Sequence, residues 1–353
     1  MKATFPYWGN YTIAFKALFK KLGVDFIAPE KSSQRSVGEG VKISPEMYCF
    51  PLKVNIGNYL AAIRKGADTV FMVTSSKGSC RLRYYGDIQE KALIENGHNI
   101  DFIILDQNPK DIYKKLKKNS GASFFQIIKA FYFFYKKLRF IEWLERKAQY
   151  IRPRELKRGE VDRLLDNTFE KLDKINNFRG VSKFKKEIKR EIREIGTEKD
   201  KIVPKVGLIG EIFTVTDGAI NFDIEKKLGR EGIEVHRDMD ISYQLKKSVF
   251  PWKDWIIQRK IIPYLKSTVG GHGRDAIYEM LNYIKEDFDG IIHLLPFGCM
   301  PETTVRPILE KIHKENGIPF LSLSLDEQVA EVGINTRIEA FVDVVRNYHK
   351  TRC

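Results

Sequence analysis

The sequence predicts an α/β fold with two domains, each on a parallel sheet, joined by a basic helical insert. Both halves open in the same order, strand, turn, helix and strand, over residues 2–29 and 205–235, which is typical of parallel sheets covered by helices. Two apolar, β-branched runs at 68–74 and 289–296 resemble buried parallel strands. A length of 353 residues also exceeds what one ordinary core accommodates.

In the first half, residues 2–7 are expected to form a short strand. Apolar residues then recur at helical spacing at Ile13, Phe15, Leu18, Phe19 and Leu22. Gly23 is placed to end this helix, and residues 24–29 are predicted to be the next strand.

The second half repeats the pattern with a strand at 205–209 and a turn at Gly210 and Glu211. A helix is expected from this turn to about Leu228, followed by a strand at 232–235. Residues 320–325 predict a further strand, and residues 336–348 predict a closing amphipathic helix.

The basic charge of the chain is concentrated in its middle. Residues 110–200 contain 26 Lys or Arg against 14 Asp or Glu, which gives +12 of the total +15. Helical periodicity at 124–144, 161–172 and 181–195, with a break at 151–154, predicts a helical insert over residues 111–200. The N-terminal domain would then cover residues 1–110 with Cys49 and Cys80, and the C-terminal domain residues 201–353 with Cys299.

This basic insert has three interpretations. It is a solvated helical face, a docking surface for an acidic partner such as an electron donor, or a nucleic-acid-binding segment. Nucleic acid is the least favoured partner, because no recognised binding motif accompanies the charge.

From the composition and the start of the chain we expect a cytoplasmic protein without membrane attachment. No run approaches the ~18–20 apolar residues that cross a bilayer, and the start of the chain lacks the apolar core of a signal peptide. Four cysteines in a chain of this length do not make a disulfide scaffold. Clustered cysteines would therefore indicate metal or redox chemistry.

Two of the cysteines occupy equivalent places in the two halves. Cys49 and Cys299 each begin a Cys-x-Pro sequence at a predicted helix start. Proline suits the first helical turn, since its missing N–H would have no partner there. A helix N-terminus also stabilises the thiolate that metal binding requires.

Cys80 follows the predicted strand 68–74 through the polar loop 75–79. In open parallel sheets, ligands bind beyond the carboxyl ends of the strands. Cys80 and Cys299 both lie beyond such ends, and Cys49 heads the helix that leads into one of these strands. We therefore expect the three thiols to converge in the crevice between the domains.

Other roles for these cysteines remain open at this level. A single cysteine is often a small buried apolar residue, and a structural zinc site normally uses local CxxC pairs, which this chain lacks. A catalytic cysteine needs a neighbouring base, and none is indicated; Cys353 is interpreted as a bystander. Three thiolates without a fourth partner suit an iron–sulfur cubane with one iron left open.

Four segments resemble a known family: Cys49-Phe50-Pro51 and residues 207–212, 270–273 and 294–302. They are similar to the 2-hydroxyacyl-CoA dehydratase D-component-like proteins, including the branch described as CoA protein activase or acyl-CoA dehydratase activase-related. The similarity covers most of both α/β halves and is strongest over residues 205–343.

This resemblance implies two Rossmann-like domains that hold a [4Fe-4S] cluster through three cysteines, by position Cys49, Cys80 and Cys299. It also implies an ATP-dependent activator protein that delivers low-potential electrons, an acyl-CoA-like substrate, and a second cluster-bearing subunit or homodimer. The chain has no phosphate-binding GxxxxGK[ST] loop, so we expect the cluster-bearing partner and not the ATPase. Its activity would be that of a lyase or reductase component. The alternatives are a non-catalytic iron–sulfur electron-transfer or scaffold subunit and a basic nucleic-acid-associated protein.

Two further residues are candidates for a catalytic role. Glu211 follows the first strand of the second half and could face the crevice, although carboxylates at such turns are equally often helix caps. His272 lies in a Gly-Gly-His-Gly sequence before a predicted helix, where backbone amides can receive an anion. Residues 326–328 follow a strand in the same way, and His293 is expected to be a satisfied core residue.

Overall fold

The computed structural model of the chain describes residues 1–74, 80–198, 200–250 and 252–352. The described chain contains two sheets of parallel strands covered by helices, which confirms the predicted α/β fold class with Rossmann-like domains. The strands are β1 (Ala3–Thr4), β2 (Thr69–Thr74), β3 (Asp101–Asp106), β4 (Lys205–Gly210), β5 (Glu234–His236), β6 (Gly290–Pro296) and β7 (Phe320–Leu325). One sheet has the order β1-β2-β3 and the other β5-β4-β6-β7.

The helices fall into three groups along the chain. The first group is α1 (Thr12–Leu22), α2 (Gln34–Ile43), α3 (Phe50–Arg64) and α4 (Tyr85–Glu95). The middle group is α5 (Pro109–Ser120), α6 (Phe124–Ile151), α7 (Glu160–Lys174) and α8 (Phe178–Glu194). The last group is α9 (Ile212–Thr216), α10 (Ile224–Arg230), α11 (Ile241–Val249), α12 (Trp252–Ile261), α13 (Gly273–Lys285), α14 (Met300–Asn316) and α15 (Glu331–Arg352). Two short 3₁₀ helices cover Arg81–Tyr84 and Arg152–Arg154.

The start of the chain departs from the sequence prediction in one element. Gly23 ends α1 in the left-handed conformation, as expected. The predicted strand at 24–29 is wrong, because only Phe26 pairs there, in an isolated bridge with Ala3. Ala3 exchanges two backbone hydrogen bonds with Asp25 and Ile27 before the chain leaves the sheet edge. β3 was not predicted, since its apolar run is only four residues long between two aspartates.

The helix expected to run from the 210–211 turn to Leu228 is interrupted between α9 and α10, so this prediction is also wrong. Asp217 accepts a hydrogen bond from the Ala219 amide at 3.0 Å, and the Asn221 side chain donates to the Thr214 carbonyl at 2.8 Å. Such side-chain bonds to the backbone compete with the helical pattern. The chain turns through this break with a left-handed Asp223, at φ 52°.

The middle helices share a core with the rest of the chain. α6 packs along α1 and also contacts α7, α8 and β5, and several of its aromatic residues are buried, among them Phe133, Phe134 and Phe140. Lys137 is buried in the same helix, where it donates to the Leu172 carbonyl at 2.8 Å. Burial lowers the pKa of Lys137 to about 8.

The second sheet has the topology that creates a ligand crevice. From β4 the chain passes to β5 on one side, whereas β6 lies on the other side of β4. The carboxyl ends of β4 and β6 therefore flank a topological switch point, where open α/β sheets bind ligands. Glu211 follows β4 and Cys299 lies three residues beyond β6. Within the described ranges, no helix combines the length and apolarity needed to cross a membrane.

Candidate cysteine site

Cys49 and Cys299 lie at the N-termini of two helices, one in each half of the chain. Cys49 is the N-cap residue of α3 and Cys299 that of α14, and each helix has proline in its first turn. Both side chains are buried, with 7% and 5% exposure. The Phe50 amide donates to the Phe297 carbonyl at 3.0 Å, so a backbone hydrogen bond joins the two cysteine segments directly.

Cys80 approaches the same place from the first sheet. It is the N-cap residue of the 3₁₀ helix that follows β2 and is half-buried. A Cβ atom on Gly271 would lie 3.5 Å from the Cys80 sulfur and 2.9 Å from Pro301, the second residue of α14. Cys80 therefore lies between the loop before α13 and the start of α14. The loop 75–79 that precedes Cys80, and Cys353, lie outside the described residues.

Arg81 connects the segments that carry the cysteines. Its guanidinium donates to the carbonyls of Met47 and Gly298, two residues before Cys49 and one before Cys299. It also stacks over the Tyr48 ring, 5.2 Å from the ring centre. Arg81 was not predicted as a site residue, although its position next to Cys80 was a signal.

The three thiols share one electrostatic environment that favours their neutral form. Burial is the largest effect and raises the pKa of Cys49 to about 11, although a hydrogen bond with the Tyr85 hydroxyl at 2.6 Å opposes it. Burial also raises the pKa of Cys299 well above its usual value, and that of Cys80. The Glu211 carboxylate contributes to all three increases, so its charge acts on each of the thiols.

Backbone amides partly compensate two of the sulfurs. The Leu82 amide lowers the pKa of Cys80, and the Glu302 amide lowers that of Cys299, as expected for helix N-termini. Neither contact has the geometry of a standard capping hydrogen bond. Burial nevertheless remains the largest effect on the pKa of both thiols.

Glu211 lies beside the cysteines and caps α9. Its carboxylate accepts hydrogen bonds from the Phe213 amide at 3.1 Å and from the Thr214 amide and hydroxyl at 3.0 Å. Burial raises its pKa, and the charge of nearby His272 opposes this. His272 is the N-cap residue of α13 but makes no capping bond with its side chain. The structure thus brings both catalytic candidates to the cysteines.

A buried histidine lies behind the cysteines. His293 of β6 is fully buried and bonds Glu302 at 2.9 Å and Ser322 at 3.2 Å, in agreement with its expected core role. One carboxylate oxygen of Glu302 has no partner among the described residues and is buried. Two residues of this site, Tyr85 and Glu302, were not predicted from the sequence. An acidic residue three positions after a helix-capping cysteine was the available signal.

The arrangement does not suit a mononuclear metal site. Among the described residues, no three His, Cys, Asp or Glu side chains stand close enough to bind one ion. A cubane makes a different demand, because each cysteine thiolate binds a separate iron. Glycine allows close approach at two of the cysteines, since a Cβ on Gly271 would lie 3.5 Å from the Cys80 sulfur and a Cβ on Gly298 would lie 3.2 Å from the Cys49 Cα. The three thiols at helix N-termini therefore fit a cluster.

Comparison with known proteins identifies the family. Residues 2–239, about two thirds of the chain, match the model of the CoA enzyme activase uncharacterised domain. Residues 263–345 match 2-hydroxyglutaryl-CoA dehydratase, D-component. Among curated proteins, none matches the chain. The resemblance seen in the sequence is thus confirmed at the level of the family, and the chain belongs to the CoA enzyme activase uncharacterised domain family, with a C-terminal part similar to the 2-hydroxyglutaryl-CoA dehydratase D-component.

Proposed function

We propose that this chain is a [4Fe-4S] protein resembling a 2-hydroxyacyl-CoA dehydratase component, with Cys49, Cys80 and Cys299 as the cluster ligands. The observation that carries the proposal is that three N-cap cysteines, from both halves of the chain, lie in segments joined by the Arg81 guanidinium and by the Phe50–Phe297 backbone hydrogen bond. When bound, the cluster would supply one-electron chemistry and, with three protein thiolates, one iron open to exchange.

The surrounding residues have defined tasks in this proposal. Each thiol loses a proton on metal binding, and the helix N-termini at the three cysteines lower the cost of the resulting thiolates. Arg81 holds the Cys49 and Cys299 segments at a fixed separation through the two carbonyls it binds. Glu211 and His272 lie at the edge of the same crevice and are the candidates for moving a proton on a bound substrate.

The electron source in this proposal is a separate ATP-dependent activator protein, and the substrate is acyl-CoA-like, undergoing radical (de)hydration or reduction. The rim of the cysteine site supports a protein partner, because four exposed apolar side chains surround it: Met47, Tyr84, Phe297 and Met300. Exposed apolar groups around a buried site are typical of interaction surfaces. The family membership supports the activator and the CoA ester.

Metal analysis of anaerobically purified protein tests the cluster. The wild-type chain should contain about four iron and four sulfide per chain, and Cys49→Ala, Cys80→Ala and Cys299→Ala should each lose most of it. Cys353→Ala is the matched control and should retain the full content. A wild-type chain without iron, or a triple variant with unchanged iron, would refute the proposal.

A second experiment separates an enzyme from an electron-transfer or scaffold subunit. The reduced cluster of a substrate-binding protein should change its EPR spectrum when a 2-hydroxyacyl-CoA is added, whereas coenzyme A alone should change it less. Identical spectra with and without the ester would favour the non-catalytic alternative.

A further inference from the structure

A cavity of about 350 Å³ lies at the amino ends of β4 and β5. Its walls come from four parts of the chain: residues 152–158, residues 201–204 before β4, residues 229–232 before β5, and α15. The cysteine site lies at the carboxyl ends of the same sheet. The six residues of β4 separate the two edges by about 20 Å, so the cavity is a separate site.

Positively charged side chains dominate the lining of this cavity. Five cationic side chains face two carboxylates, and these are Arg152, Arg158, Lys201, Arg230 and Arg346 against Glu155 and Glu231. Both carboxylates already have partners. Glu155 accepts hydrogen bonds from two backbone amides at the start of α7, at 2.5 and 3.0 Å, and Glu231 lies 3.2 Å from Arg346. Lys201 pairs with Glu198 at 3.3 Å, and both side chains of this pair are exposed.

Two of the arginines share a single carboxylate. One oxygen of Asp162 accepts hydrogen bonds from the Arg152 guanidinium at 3.0 and 2.9 Å, and the other accepts one from Arg230 at 3.2 Å. Arg152 is buried, whereas the Arg230 side chain is 53% exposed. Gly229 permits this arrangement, because a Cβ atom there would lie 2.4 Å from the Arg152 Cδ. One negative charge therefore serves two guanidinium groups.

Two further arginines hold the turn between α10 and β5 from opposite sides. Arg158 donates to the Arg230 carbonyl at 2.9 Å, and Arg346 donates to the Glu231 carbonyl at 2.6 Å. Arg158 is exposed and forms no ion pair with any residue that the structure describes. A guanidinium carries five N–H donors, so most donors of Arg158 are available to a ligand. The backbone contacts fix both guanidinium groups beside the cavity.

The excess of guanidinium groups selects an anionic ligand. Guanidinium forks match the oxygens of phosphate and carboxylate groups. Arg158, Arg230 and Arg346 belong to three different elements, and a phosphate group offers oxygens in more directions than a planar carboxylate. The cavity volume also lies in the range of small-molecule sites. Pro204 and Val203 add an apolar part to its wall.

We propose that this cavity binds a phosphate-bearing small molecule, with Arg158, Arg230 and Arg346 as the residues that hold the phosphate oxygens. Arg152 and Asp162 form the buried support beneath them. The bound molecule would join residues 152–158 to the C-terminal sheet and to α15. The proposal does not depend on the function proposed for the cysteines.

Isothermal titration calorimetry of the full chain with pyrophosphate, ADP and adenosine tests this site. Pyrophosphate and ADP should bind, more weakly at high salt because exposed charges are screened, whereas adenosine should not bind. Arg158→Ala should weaken ADP binding about tenfold or more, since this is the usual contribution of a charged hydrogen bond. Arg179→Ala, at an exposed position of α8, is the matched control and should bind ADP as the wild type does. Absence of binding by both phosphate compounds, or equal affinity of Arg158→Ala and wild type, would overturn the proposal.

Two further measurements separate phosphate recognition from other roles of the arginines. Succinate carries two carboxylates and should bind more weakly than pyrophosphate; tighter binding of succinate would refute the assignment to a phosphate ligand. Circular dichroism shows whether Arg158→Ala keeps the fold. If it does not, Arg158→Lys carries the comparison, because lysine keeps the charge but lacks the planar fork. Arg158→Lys should then bind ADP more weakly than the wild type, and an unchanged affinity would count against phosphate binding by Arg158.

Discussion

Replacing Asp217 by asparagine should change the pH dependence of stability in a defined way. Asp217 lies in the break after α9 and is buried, and it accepts a hydrogen bond from the Ser32 hydroxyl at 2.7 Å. The Asn58 side chain donates to the same hydroxyl at 3.1 Å. Ser32 and Asn58 belong to the first half of the chain, so this small network joins the two halves.

The size of the effect follows from the pKa of the carboxyl. Burial is the main cause that raises the pKa of Asp217 from 3.8 to about 6. A carboxyl with a higher pKa in the folded chain binds its proton more tightly there, so the free energy of unfolding falls as the pH rises between the two values. The full loss is about 3 kcal/mol, of which about 1 kcal/mol occurs between pH 5 and pH 7. Above that window the loss stays constant.

Urea unfolding of wild type and Asp217→Asn at several pH values measures this effect. Relative to the wild type, the variant should gain about 1 kcal/mol between pH 5 and pH 7, because asparagine has no proton to lose. Asp343→Asn, at an exposed position of α15, is the control. Ser32→Ala should move the wild-type transition to higher pH, since the Ser32 hydrogen bond lowers the pKa of Asp217. Parallel stability curves for Asp217→Asn and wild type would refute the reasoning.

Three further changes give direct tests. Gly298→Ala should cost about 1 to 2 kcal/mol of stability and reduce the iron content. The reason is that Gly298 has φ +73° and that its new Cβ would lie 3.2 Å from the Cys49 Cα. An unchanged iron content would contradict this prediction. Lys53→Met should lower the free energy of unfolding by about 2 kcal/mol, since Lys53 pairs with Glu327 at 2.6 Å, and Glu327→Gln in the same chain should recover part of it. In metal-free protein, the rate of Cys49 alkylation should keep rising with pH up to about pH 11, the raised pKa of this thiol. Tyr85→Phe should move the pH at which the rate levels off to a higher value. A plateau near pH 9 would refute the burial argument.

The predictable parts of the fold were those with a local signal. The run at β6 is apolar except for His293 and is typical of a buried parallel strand, and Gly23 ends α1 by a rule that needs only the sequence. The strand predicted at 24–29 was wrong, because the number of backbone hydrogen bonds that a segment makes at a sheet edge depends on the path of the chain beyond that segment. The continuous helix predicted up to about Leu228 was wrong for a related reason, since Asp217, in the break after α9, accepts a hydrogen bond from Ser32, which is 185 residues away in the sequence.

The part of the candidate site that could be predicted is the part whose sequence pattern occurs twice. Cys49 and Cys299 share the Cys-x-Pro pattern, and both are N-cap residues of their helices. Arg81 and Tyr85 had no comparable signal, because an arginine that binds two backbone carbonyls is recognisable only when both segments are in place. The role of the insert at 111–200 as a separate unit stays a prediction.

The cysteine site and the contact between the two halves depend on each other. The Phe50 amide bond to Phe297 and the Arg81 bridge join the cysteine segments, while the Asp217 network and the Lys53–Glu327 pair hold the same two halves elsewhere. A change that weakens the Asp217 network or the Lys53–Glu327 pair should therefore separate Cys49 from Cys299 before it unfolds a domain. If so, Lys53→Met should lose iron at urea concentrations that leave its helical signal intact, whereas Asp217→Asn at pH 7 should retain iron at least as well as the wild type.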